Sequence, residues 1–486
     1  MKKLLFFFTC VCLLVACSKD EPLTLSGDNI LNDTSVDGKV FVVEPSKGAD
    51  ITASLKQAFN DAIAAGPGSV VQLPRGEFEL GFIEIREFYG KFKGAGKGKT
   101  IITTVADLNV DALLDQGLNT VLIRFVGGDV RMSDMTIKTS PGELSSGSED
   151  WIDGLVGFSA RTYQYTSEKD YINAVIDDVE FIGNWENTTH GLKAEFGVRG
   201  NVKIDGGWPL SCMDISVTNC SFDGFYAWGA LIEHIKGGKI IAGTKNNGNI
   251  FTNNASERNV AYEWGGGGSL GIWNNVNVEI SVIGNTFFIP QGTRWGIEMF
   301  SSPVPARLEQ VQQTKVTVCN IEQNVFNITG GGGGVLINDR RRYFYPEDLP
   351  MNVQVKNNKF NLSNDAFTGI GSMNMMKMVI RNNKFGGSGQ HGVRIIGPSP
   401  YPYNENGLML GNNLSNATFS VAAVLLDVRT KNWTIVGGNL GERVINLGEN
   451  NIITGMSVNN SEAPFGQTIV DNLEEMREAV HNLKGH

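Results

Sequence analysis

Apolar positions along this chain fall into a short unit that returns many times. A run with period-two alternation leads into paired Asn or Asp positions, a spacer and a Phe. The clearest copies are VKNNKF, Val355 to Phe360, and IRNNKF, Ile380 to Phe385. Related copies run from Ser216 to Phe222, Val282 to Phe287, Ile321 to Phe326 and Met409 to Leu414, with weaker ones ending at Ile137 and Phe181. After most copies comes a small residue and a second alternating run, as in Gly296-Ile297-Glu298-Met299, Gly334-Val335-Leu336-Ile337 and Gly392-Val393-Arg394-Ile395.

Period two means short strands, and a unit that cannot bury its own apolar face must stack on its neighbours. The pattern therefore predicts an all-β chain, a single-stranded right-handed parallel β-helix over residues 40–463. Phe222, Phe287, Phe326, Phe360 and Phe385 should form an internal column. Asn285, Asn324, Asn358, Asn383 and Asn412 should form an Asn ladder at one turn, with Cys220 taking that place in one coil. A β-propeller would show a steadier period.

Two segments break the strand pattern. Leu55, Ala58, Phe59, Ala62 and Ile63 recur at helical spacing and Gly66 closes the run, which predicts an N-terminal capping helix. Val470, Leu473, Met476, Ala479, Val480 and Leu483 predict a C-terminal capping helix within 464–486, placed to protect the last edge. The first helix is followed by Leu73-Pro74-Arg75-Gly76 and by Gly94-Ala95-Gly96. Residues 40–105 thereby resemble the start of the pectate-lyase-like superfamily, in which a helix caps the first coil. The resemblance implies the fold; it does not name the chemistry.

The N-terminus reads as export machinery. Lys2 and Lys3 precede a short apolar core, and Leu14-Val15-Ala16-Cys17 resembles the lipobox of bacterial lipoproteins. That resemblance implies a signal peptide over 1–16 and a lipid-modified Cys17 anchoring the chain to a membrane. Ser18-Lys19-Asp20-Glu21 resembles the acidic tag of surface lipoproteins of Bacteroidetes, which implies the outer face of the outer membrane. Residues 17–39 read as a polar tether. The remaining cysteines, Cys212, Cys220 and Cys319, fit no zinc spacing and are expected as buried thiols.

A formal charge of -10 argues against nucleic acid as a partner. It also means that an acidic sugar would have to be met by a local Arg cluster. A monomer is expected.

Candidate chemistry comes from the uneven coil lengths. The Phe step is 25 residues from Phe360 to Phe385 but 39 from Phe287 to Phe326, so the earlier coils carry added loops, where function concentrates. Seven of the eight Trp lie between Trp151 and Trp295, and exposed indoles stack on sugar rings. Trp264, Trp273, Trp295 and His234 are thus candidates for holding a polysaccharide. Glu233, Glu263, Arg294, Glu298, Asp339 and Arg340 are candidate catalytic groups. Aligning the small residues that open each second run puts Lys193, Trp273, Glu298 and Arg394 in one outward column.

Two reactions suit these residues. A uronate lyase removes the proton beside a carboxylate that Arg residues, or a Ca²⁺ held by acids, neutralise. Arg294 or Arg340 would serve as base or carboxylate clamp, and a uronate epimerase would share this step. A glycoside hydrolase needs two carboxylates flanking the bond, with Glu298 paired to Glu233, Glu263 or Asp339. A third reading is a glycan-binding or adhesive surface protein that uses the Trp platform alone. Gln390 to Gly397 carries a Gly-His-Gly-like strand similar to that of polygalacturonases, but the acidic pair and Asn-Thr-Asp segment of that family are missing.

Overall fold

The computed structural model describes residues 38–44, 50–105, 108, 110, 120–140, 151–160, 171–184, 192–202, 211–254, 267–290, 293–301, 317–341, 349–397, 403–440 and 444–454. The Cys17 segment, the tether, Glu263, Trp264 and the C-terminal segment 464–486 lie outside them. The fold is the parallel β-helix expected: all pairings between strands are parallel, and each strand pairs with its counterparts one coil before and one coil after.

Three walls result. Wall A runs from Val40–Val42 and Ser69–Gln72 through Val318–Glu322 and Lys377–Arg381 to Ile452–Thr454. Wall B includes Gly76–Leu80, Thr286–Ile289 and Val325–Thr329. Wall C includes Trp228–Glu233, Gly268–Trp273, Trp295–Ser301 and Gly333–Asp339. The chain visits A, B and C in that order. Some strands bend through more than one wall: Val121–Lys138 pairs in turn with members of all three.

The Phe column stands on wall B as anticipated. Successive rings from Phe181 through Phe222, Phe251, Phe287, Phe326 and Phe360 to Phe385 stack with centroids 4.7–5.1 Å apart. This matches the inter-strand spacing of a sheet. Phe251 is a member that the repeat did not reveal.

The A–B turn explains the paired polar positions. The first takes a left-handed backbone, as at Gln323, Asn357 and Asn382. The second is the ladder Asn. The Asn324 side chain accepts both the N–H and the Nδ2–H of Asn285 at 2.9 Å, and its own Nδ2 donates to Asn358 and to the Val282 carbonyl. The ladder continues to Asn383 and Asn412, and Asn249 joins it to the Cys220 N–H. None of Cys212, Cys220 and Cys319 is disulfide-bonded; Cys220 and Cys319 are buried as expected, whereas Cys212 is only half-buried, and burial pushes the Cys220 thiol up to about 12.

Helix α1, Thr52–Ala65, buries Leu55, Phe59 and Ala62, while Ile63, anticipated on the same face, is exposed. Phe59 sits among Phe88, Phe92 and Phe125 at 5.1–5.9 Å and plugs the first coils. Among the described residues no helix is long and apolar enough to cross a membrane.

The A–B turn is two residues long in most coils. Between residues 105 and 444, the strands that flank each stretch outside the described residues meet at one of the two edges of wall C.

Candidate active site on wall C

On wall C, Ala230, Ile232, Leu270, Ile272, Ile297 and Met299 face the core. The intervening positions form outward columns set by strand register. One holds Phe196, Trp228, Gly268, Trp295 and Gly333. A second, three residues on, holds Arg199, Leu231, Gly271, Glu298, Leu336, Gly371 and Arg394. A third, two residues further, holds Glu233, Trp273, Phe300 and Asn338.

Glu298 and Arg394 thus share a column, three coils apart, as the alignment of small residues had them. Trp273 does not share it: Gly271 is level with Glu298, and Trp273 is level with Glu233 and Phe300. Lys193 is level with Trp151, six residues before Arg199. The strand of Trp273 holds two small openings, Gly268-Ser269 and Gly271, and only the first corresponds to Gly296.

The glycines of this wall have a physical reason. The Trp228 ring lies against Gly268 and Gly271, and the Trp295 ring against Gly333 and Gly371; a Cβ at Gly268 or Gly333 would collide with the indole above it. Trp228 is therefore a packing residue, 2% exposed. Trp273, half-buried, meets it edge-on at 5.5 Å and leans on Phe300 at 5.8 Å. The Arg340 guanidinium stands 5.2 Å over the Phe300 ring, a cation–π contact.

Two polar centres stand on this surface. In the first, Arg199 Nε and Nη2 donate to Glu233 Oε1 at 3.0 and 2.8 Å. Its Nη1 lies 3.5 Å from Asp153. His234 Nδ1 lies 3.3 Å from the other Glu233 oxygen. Burial works against the Arg199 charge, but Glu233, Asp153 and Glu195 outweigh it and hold the guanidinium protonated. Burial lowers the His234 pKa despite Glu233 beside it, so the ring is neutral. Glu233 is thus committed to a buried ion pair, and so is His234 to its company. Arg199 and Asp153, its central members, were not among the candidate residues. They are 46 residues apart in sequence, and no local motif joins them.

The second centre is Glu298, 4% exposed. Burial pushes its carboxyl up to about 8 against the opposing pull of Arg294, the Gly267 N–H and Arg340. At neutral pH it is an uncharged acid beside two arginines. Its Oε2 has no hydrogen-bond partner, and neither does the indole N–H of Trp273 on the adjacent coil. Buried polar atoms are almost always paired, so two orphans on adjacent coils mark a place where a ligand is expected.

The remaining candidates divide plainly. Arg294 and Arg340 act on Glu298. Asp339 is buried and level with Ser301. Glu233 and Glu298 stand two coils apart, with Leu231 and Trp228 lying over the Gly271 between them. Among the described residues no three acidic, His or Cys side chains converge as a metal site. Among the described residues, one carboxyl beside two arginines at Glu298 does not fit Ca²⁺.

No family model matches the chain, and no curated protein matches it. Solved structures do. The catalytic unit of a GH87 α-1,3-glucanase from Streptomyces thermodiastaticus strain HF3-3 aligns with TM-score 0.49 at 12% identity, over 87% of this chain and 66% of that one. A mannuronic acid specific polysaccharide family 6 lyase from human gut microbiota aligns with TM-score 0.47 at 12% identity, over 89% and 94%. The A-module of the Azotobacter vinelandii mannuronan C-5 epimerase AlgE6 gives 0.44 at 13%, over 86% and 97%. At these identities the likeness is one of fold.

Proposed function

We propose that this protein is a carbohydrate-active enzyme of acidic polysaccharides, a uronate lyase working on wall C. The observation that carries the reading is the neutral Glu298 carboxyl flanked by Arg294 and Arg340. Once Glu298 is uncharged it no longer balances the Arg294 charge beside it, and Arg294 can meet an anion, on a protein whose net charge is -10. A sugar carboxylate fits that demand. Pairing it with Arg294 and Arg340 draws charge from the neighbouring carbon and acidifies its C–H. The protonated Glu298 donates a hydrogen bond to the oxygen on which charge builds as that proton leaves. Trp273 and Phe300 supply apolar faces for the ring. Solvent water takes the C–H proton, the bond from the next ring carbon to the glycosidic oxygen breaks, and that oxygen takes a proton from water as it leaves, which gives an unsaturated uronate. Epimerisation shares the proton abstraction and differs in returning a proton to the opposite face.

The test is a panel of acidic and neutral polysaccharides read for the ultraviolet absorbance of unsaturated uronate and for reducing ends. New absorbance on an acidic polymer is expected. Arg294→Ala and Glu298→Ala should lower turnover by about 10²-fold or more. Glu298→Gln keeps a neutral donor and should retain a measurable fraction. Reducing ends without absorbance would show hydrolysis. Binding without turnover would show a glycan-binding wall. Either result sets the lyase reading aside.

A further inference from the structure

The strand Lys384–Ile396 adds a second cationic point to the column of Glu298. Arg394 stands three coils beyond Glu298, and Leu336 and Gly371 fill the levels between them. Each coil rises about 5 Å, so the two groups are about 14 Å apart along the axis. Neither intervening residue carries a charge. The Leu336 side chain and the Trp295 ring close over Gly371, where an added Cβ would lie 3.2 and 3.3 Å from them. Phe367, half-buried like Trp295, meets that indole edge-on at 6.4 Å. An apolar floor therefore leads from Glu298 to Arg394.

Arg394 is poorly served by the protein around it. Its guanidinium stands 5.1 Å over the Phe367 ring, and its Nε is buried with no hydrogen-bond partner. Burial lowers its pKa, and Asp427 is the carboxylate that supports its charge. That support acts through space: among the described residues no hydrogen bond joins the two, and one Asp427 oxygen accepts the Val428 N–H at 2.6 Å. His391, three residues earlier, adds no charge. Its Nδ1 lies 3.3 Å from the Phe367 carbonyl, and burial and Arg394 push the ring down to about 4. A buried N–H without an acceptor marks a place for a ligand oxygen, and a guanidinium fork suits the two oxygens of one carboxylate.

We propose that Arg394 is a distal subsite of wall C, taking a second carboxylate of the polymer whose first carboxylate meets Arg294. Wall C would then select a chain that is acidic over several consecutive units and hold it along the coil axis. The inference rests on the reading of Glu298 and Arg294 as the place of reaction. A single ring held at Glu298 does not span the distance to Arg394; a short oligomer does. Its rings would lie on Trp295, Leu336 and Phe367, which bury apolar sugar faces. A neutral glycan gains nothing from Arg394.

The experiment measures binding of oligogalacturonates and oligomannuronates, from dimer to octamer, by calorimetry. The full chain carries Glu298→Ala to slow cleavage. Affinity should rise from short to long oligomers, and Arg394→Met should shrink that rise by about tenfold. Methionine keeps an apolar stem on Phe367. Arg394→Lys keeps the charge and should restore part of the rise. Asp427→Asn removes the competing carboxylate and should enlarge it. A loss of equal size at every length, an undiminished rise in Arg394→Met, or an equal rise with neutral dextran oligomers would overturn the proposal. So would absence of binding by both acidic series. The two readings fail separately. No unsaturated product from the unsubstituted protein, with the length dependence intact, sets aside the lyase and keeps the subsite. Product formation with a length dependence that ignores Arg394 does the reverse.

Discussion

Glu298 shows what a single buried carboxyl does to the molecule. Its pKa rises from an ordinary 4.5 to about 8 on folding, chiefly through burial. The folded state then holds a proton that the unfolded chain releases between those values. The associated stability is complete below about 4.5 and disappears as pH rises through about 8, with a ceiling of roughly 5 kcal/mol. Glu298→Gln mimics the protonated form and should escape that loss. Urea unfolding of both proteins from pH 5 to 9 should show a gap that widens upward. A constant gap would mean the carboxyl is solvated. On the lyase reading, turnover should fall over the same alkaline limb. Glu298 was legible in sequence because it lies a fixed count from the small residue opening its strand; the Trp residues were singled out by their clustering between Trp151 and Trp295. The level of Trp273 was misread because Gly271, an outward position, looks like such an opening. Arg199 and Asp153 were illegible because an ion pair across coils leaves no mark at either end.

At the scale of the turn, two adjacent residues carry opposite expectations. Asn324 serves two donors of Asn285 and itself donates to Asn358 and Val282. Asn324→Ala strands the buried Asn285 N–H and Val282 carbonyl of the preceding coil and should cost about 3 kcal/mol or more. Gln323, one position earlier, holds φ 56° with a side chain that dislikes it. Gln323→Gly should be neutral or stabilising by up to about 1 kcal/mol. Thermal melts of the two variants test the assignment; a shift of the same sign in both would refute it. This turn was the most readable element, since its residue types are dictated by backbone conformation and by the ladder. It failed once, at Asn249 and Phe251. There the A–B turn grows to residues 243–249 in place of two, and the fixed spacing from strand to Asn to Phe is lost.

At the scale of the whole molecule the fold is one-dimensional: each coil bonds to the coil before and the coil after. Stability in such a stack is a sum of neighbour terms, so damage at one end need not reach the middle. The lower end offers the test, because Phe59 of α1 fills the space between Phe88, Phe92 and Phe125. Phe59→Ala should cost that end about 3–5 kcal/mol. Hydrogen exchange should then quicken in Ser69–Gln72 and Ile83–Lys93 and stay slow in Val318–Glu322 and Lys377–Arg381, as expected where units open locally. The Glu298 centre lies in the later, slow coils. Sugar binding there should therefore survive a substitution that loosens the cap. A uniform rise in exchange along all three walls would show instead that the stack melts as one unit, and the cap would then govern the site from its far end.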